Sequence, residues 1–139
     1  MPNLTIADGR KKFTINGDES RAFYVNLTDN GLAVRAKKAR DFVHELKIDE
    51  HEDEIDFIDR ANTEMRKQID YVFGDGVSES VFGNIFLTAV VDDKTGKTFF
   101  EAFFDSIMPE VEKAQKIAEK SMKESEKRIS KFTAKYVKK

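Results

Sequence analysis

His44 and His51 stand on either side of an acidic run from Glu45 to Asp59. Imidazole and carboxylate are the groups from which a cysteine-free chain assembles a metal site. This chain has no cysteine, so disulfides and thiolate-held metals are out of reach. The spacing argues against a metal centre all the same. The two histidines fall on different predicted helices, the carboxylates spread around the helix, and no H-E-x-x-H or E-x-x-H pattern sets two ligands on one face. Asp92-Asp93-Lys94-Thr95-Gly96 has the acidity of a calcium loop but lacks its alternating oxygen ligands and closing Glu, so a polar turn is predicted. Phe73-Gly74-Asp75-Gly76 is the glycine-dense site; with no Lys-Ser or Lys-Thr after it, it reads as a helix end rather than a phosphate loop. No Cys–His or G-x-S-x-G arrangement offers covalent catalysis. The expectation is a non-enzyme with no catalytic residue, cofactor or metal.

The charge pattern says more than these sites. Residues 112–139 carry ten Lys or Arg against four Glu, whereas residues 1–111 carry fourteen basic against twenty-two acidic side chains. The formal net charge of −2 therefore hides an acidic head and a basic tail, a dipolar layout that favours head-to-tail association or an acidic partner. Two parts are expected: an acidic α+β globular domain over 1–111 and a basic helical extension over 112–139. The chain's 139 residues, with twelve Phe, are enough to bury an aromatic core. No apolar run approaches the roughly 18–20 residues of a membrane span. The N-terminus lacks a signal-peptide layout, so an intracellular soluble protein is expected.

The elements are predicted as follows. Leu4-Thr5-Ile6, Phe13-Thr14-Ile15 and Ala22–Leu27 alternate like strands, parted by Asp8-Gly9 and Asn16-Gly17-Asp18 turns, which gives a three-stranded antiparallel meander. Thr28 or Asp29 caps a helix reaching about Lys47, with Leu32, Ala36, Ala39, Phe42/Val43 and Leu46 as its apolar stripe. A second helix runs from about Asp49 to Val72 with acidic residues crowding its first turns, and Gly74 and Gly76 stop it. Ser78 caps a short third helix. Thr98-Phe99-Phe100-Glu101 fits the capping box, and Phe100, Phe103/Phe104, Ile107/Met108 and Val111 follow on one face. Pro109 either kinks this helix or opens a new one. The fold class is mainly α (α+β): a small N-terminal antiparallel sheet packed on helices, with a long C-terminal helix.

The basic tail carries apolar residues at Val111, Ala114, Ile117/Ala118, Met122, Ile129, Phe132 and Tyr136, with Ser125 where an apolar residue should sit. A strict coiled coil is imperfect on that spacing. The leading reading is an amphipathic helix packed on the domain or on a second copy; the next is docking on an acidic protein surface. Nucleic-acid binding is weakened by the single Arg (Arg128) and the interleaved Glu, and a membrane-surface helix by the lack of large apolar residues in its middle turns. The partner-binding candidates are Lys116, Lys120, Met122, Lys123 and Lys127, with Ile129, Phe132 and Tyr136.

The stretch Ile69-Asp70-Tyr71-Val72-Phe73-Gly74-Asp75-Gly76-Val77-Ser78-Glu79-Ser80-Val81-Phe82-Gly83 is similar to an I-D-x-x-F-G-x-G-x-S-x-x-x-F-G signature in small tail-region proteins of tailed phages and prophages of Gram-positive bacteria. The likeness spans roughly residues 22–110 and leaves the basic tail outside. It implies a tail-morphogenesis role like that of tail assembly chaperones, which bind a tape-measure or tail-tube protein in the host cytoplasm, with several copies forming a homo-oligomer on a long partner. A structural virion component, such as a head–tail or tail-terminator protein, is the alternative; a nucleic-acid-binding regulator using the basic helix is a third. Read from the residues alone, the signature is architectural. Phe73 ends a helix, Gly74 and Gly76 turn the chain, Ser78 caps the next helix, Phe82 returns to the core opposite Phe73, and Gly83 leaves room for close helix approach.

Overall fold

The computed structural model describes the backbone of residues 1–137 and the side chains of residues 1–134. The order is β1 (Lys11–Ile15), β2 (Asp18–Val25), α1 (Asn30–His44), α2 (Glu54–Phe73), α3 (Val77–Phe82) and α4 (Phe99–Val137). The fold is mainly α, with a small antiparallel sheet and a long C-terminal helix.

The sheet has two strands rather than three. Phe13 faces Phe23 across an antiparallel ladder that slips before Ile15 meets Asp18, and Asn16 (φ 53°) and Gly17 (φ 74°) make the tight turn with two positive φ values. Leu4-Thr5-Ile6 joins no ladder, and residues 1–10 are all exposed. Phe23, Val25 and Leu27 enter the core, whereas Leu4 and Ile6 stay exposed and cover nothing. The segment is tied down instead by Asn26, whose Nδ2 donates to the Asp8 carbonyl at 2.8 Å.

Helix α1 starts where Asp29 accepts the Gly31 N–H at 2.9 Å. It ends at His44, short of Lys47, and α2 starts at Glu54, with Asp53 accepting the Asp56 N–H at 2.8 Å. The expected start of α2 near Asp49 is therefore corrected. Asp49, Glu50 and Glu52 lie in the connection, because Arg60 from the second turn of α2 gathers that connection around its guanidinium. Its Nη2 donates to the Lys47 carbonyl at 2.7 Å and its Nε and Nη2 to Glu52 at 2.9 Å each. The apolar spacing of α2 over Ile55, Ile58, Ala61/Asn62, Met65, Ile69 and Val72/Phe73 implies a longer stripe than forms: Ala61, Ile69, Val72 and Phe73 are buried, whereas Ile55 and Ile58 are exposed.

The capping box forms as its residue types require. The Glu101 N–H donates to Thr98 Oγ1 at 3.2 Å and the Thr98 N–H to Glu101 Oε1 at 3.3 Å. Just before it, Val90 and Thr98 pair as an isolated antiparallel bridge around the 92–97 turn. Pro109 neither ends nor starts a helix: α4 runs through it for 39 residues. Its missing N–H leaves the carbonyl four residues back without its helical donor.

The core is aromatic and centres on Phe103. Its ring lies 5.9 Å from Phe23, 5.3 Å from Phe73, 5.6 Å from Phe82 and 5.9 Å from Phe104, in tilted or edge-on pairs, the arrangement that ring quadrupoles favour. Phe73 and Phe82 thus meet through Phe103 rather than facing each other. Sheet, α2, α3 and the start of α4 converge on one side chain.

Candidate protein-binding site

Among the described residues, two features stand outside the core: a groove beside α4 and the exposed far end of α4 itself.

The groove lies between α1, α2 and α4 and encloses about 650 Å³. Its floor is apolar, formed by Val43, Met65, Phe100, Phe104, Met108 and Pro109, and its rim carries Arg40, His44, Glu101, Asp105 and Glu112. The carboxylates of Glu101 and Glu112 face the rim beside the Arg40 guanidinium, and Asp105 is already paired. The C-terminus of α1 ends at this rim, and the negative end of the helix dipole adds partial negative charge. Lys97 reaches Asp105 at 2.6 Å, and the Asp105 carboxylate in turn holds the Lys97 pKa above its usual value. An apolar trough with an acidic border suits an amphipathic basic helix.

The far end of α4 is such a helix. Gln115 ties α4 to the body: its Nε2 donates to the carbonyls of Leu27 (3.0 Å) and Asp29 (3.3 Å). Upstream, Phe100, Phe103, Phe104, Ile107, Val111 and Ala114 are buried. Downstream, the same face continues with Ala118, Met122, Ser125, Ile129 and Phe132. The steps from Ile107 to Phe132 are 4, 3, 4, 4, 3, 4 and 3 residues, close to the 3.6 of a straight α-helix. The stripe therefore runs on without drifting, while its burial stops. Ile117 is 62% exposed, Met122 47%, Ile129 64% and Phe132 64%. Lys116, Lys120, Lys123 and Lys127 are exposed around it. Of the partner-binding candidates, the side chain of Tyr136 lies outside the described residues.

The signature corner is brought together as one unit, with different chemistry from that expected. Gly74 ends α2 at φ 125°, ψ 154°, its N–H donating to the Asp70 carbonyl at 2.8 Å. Gly76, in the left-handed region, opens α3. Ser78 is not a cap: it lies inside α3, buried, and its N–H donates to Asp70 Oδ1 at 2.8 Å. Asp70, one turn before the end of α2, does the capping from outside, which a scan for a local Ser or Asp cap misses. Gly83 does not permit a close approach. A Cβ there would meet nothing within 4 Å, and its glycine serves a positive φ of 56° at the end of α3.

Three arginines missed in the sequence complete this corner. Arg66 Nη2 donates to the carbonyls of Gly83 and Ile85 at 2.6 Å each. Arg21 Nε donates to Val81 O at 2.7 Å, and Arg35 Nε to Val72 O at 3.3 Å. Val72, Val81 and Gly83 stand at helix ends, whose carbonyls lack helical donors, and Ile85 lies in the turn after α3. Asn62, buried, accepts the Leu87 N–H at 2.9 Å. The polar groups of the corner are thus spent on holding backbone ends.

Among the described residues no three His, Cys, Asp or Glu side chains are placed to hold a metal ion, and no helix is long and apolar enough to cross a membrane. No protein-family model, curated protein or solved structure matches the chain.

Proposed function

We propose that this chain is a non-enzymatic protein-binding module of phage or prophage tail morphogenesis, an assembly chaperone that shields a long helical tail protein, tape-measure or tube, in the host cytoplasm. The observation that carries the reading is the far end of α4: an apolar stripe in register with the buried face of the same helix, exposed and bordered by lysines. A helix that keeps its stripe after leaving its own core presents a surface for another helix. The groove beside α4 offers a second surface of the same kind, and two surfaces per chain let many copies coat a long partner. The phage assignment itself rests on the likeness of Ile69–Gly83 to the tail-region signature.

Co-expression with the tape-measure or tube protein of the same gene cluster tests it. A chaperone keeps that protein soluble and co-purifies with it, and mass spectrometry of mature particles then finds none of this chain. Presence in particles at fixed copy number makes it a structural virion component instead. Retention on random DNA with steep salt dependence makes it a nucleic-acid binder.

A further inference from the structure

The arm beyond Gln115 and the groove beside α4 are complementary in chemistry, yet one chain cannot join them. The groove's α4 wall spans residues 100–112, and α4 continues from there as one helix to Val137. At about 1.5 Å per residue, Ile129 lies roughly 25 Å along the axis from Glu112. The arm would have to break and reverse to enter its own groove. A second copy meets no such obstacle.

We propose that this protein self-associates by exchange, the arm of one chain lying in the groove of another. Met122 and Ile129 take the place of the missing wall over Val43, Met65, Phe104 and Met108. Lys116, Lys120, Lys123 and Lys127 face the carboxylates of Glu101 and Glu112 and the C-terminus of α1, Asp105 being already paired with Lys97. Glu119 and Glu124 of the arm are the groups that answer Arg40, the guanidinium that lines the rim. Both halves lie on every chain, so reciprocal exchange closes as a two-fold dimer, and a helical tail protein would bind by displacing the second copy from the same two surfaces. The charge division of the sequence, an acidic head and a basic tail, is then the electrostatic half of one interface. The proposal stands on the groove and the arm and is independent of the phage assignment.

The test uses the full chain. Light scattering at micromolar concentration should give a dimer. An equal mixture of ¹⁴N- and ¹⁵N-labelled chains, equilibrated and treated with a zero-length carboxylate–amine cross-linker, should give mixed-isotope cross-links between Lys116–Lys127 and Glu101 or Glu112. The double variant Met122→Glu, Ile129→Glu should raise the dissociation constant at least about tenfold while the circular-dichroism spectrum of the body is kept. A monomer at every concentration up to about a hundred times micromolar overturns the proposal. So do cross-links confined to arm against arm, or a double variant that dimerises like the parent chain.

Discussion

Arg60 holds Glu52 as a fork: Nε is 2.9 Å from one carboxylate oxygen and Nη2 is 2.9 Å from the other. The pair decides where α2 begins. Glu52 Oε1 also accepts the Asp49 N–H at 3.1 Å, and Arg60 stacks 5.3 Å over the Phe57 ring. The connection from α1 to α2 is thus wound on one guanidinium, a planar donor set that matches a carboxylate at two points.

The same fork predicts acid sensitivity of this connection. The Arg60 hydrogen bond, then the Asp49 backbone N–H, pull the Glu52 pKa from 4.5 down to about 2. A depressed carboxylate contributes stability above its unfolded value and loses it as pH falls through the folded one. Arg60→Ala should therefore be less stable than the parent chain at neutral pH, with the difference shrinking as pH falls from 4.5 to about 2. Denaturation midpoints across that window check it; a difference that does not change with pH refutes it.

Phe103 is the side chain on which four others converge. Phe103→Ala should cost about 3–5 kcal/mol, as should Phe82→Ala, a large part of the roughly 5–15 kcal/mol that holds a domain together. Phe103→Leu should recover much of the loss. Urea unfolding monitored by circular dichroism measures all three.

Gly74→Ala should destabilise by about 1–3 kcal/mol, because φ 125°, ψ 154° is backbone space that residues with a Cβ adopt only under strain. Asp75→Ala, at the exposed neighbouring position, should stay within about 0.5 kcal/mol. Equal melting temperatures for the parent chain and Gly74→Ala would show that the corner does not need its glycine.

Pro109 sits inside α4, where it removes a helical hydrogen bond. Pro109→Ala should therefore raise the melting temperature, by a free energy of up to about 3 kcal/mol. Since Pro109 also lines the groove, the same variant should change self-association, read by light scattering at matched concentration.

The parts of the fold legible in the sequence are those whose causes lie within a turn or two along the chain. Thr98 and Glu101 satisfy each other's neighbouring backbone donors, Asp29 caps α1, and Asn16-Gly17 turns the hairpin. The exposed lysine-bordered arm was legible as a stripe, though not the point where its burial stops. The groove had no sequence signal, since Val43, Met65 and Phe104 come from three separate helices.

By itself, then, the sequence determined the type of the six elements that form and their order, the aromatic composition of the core, and the division of charge between head and tail, while also offering a strand at Leu4–Ile6 that does not form. These follow from local propensity, spacing of apolar residues and counting. Only the tertiary structure decided that Leu4–Ile6 stays out of the sheet, that Arg60 delays α2 to Glu54, that Asp70 rather than Ser78 caps α3, and that Gln115 marks where α4 leaves the body. Each of these is a competition between partners distant in sequence, and its outcome depends on which groups the packed helices bring within hydrogen-bonding reach.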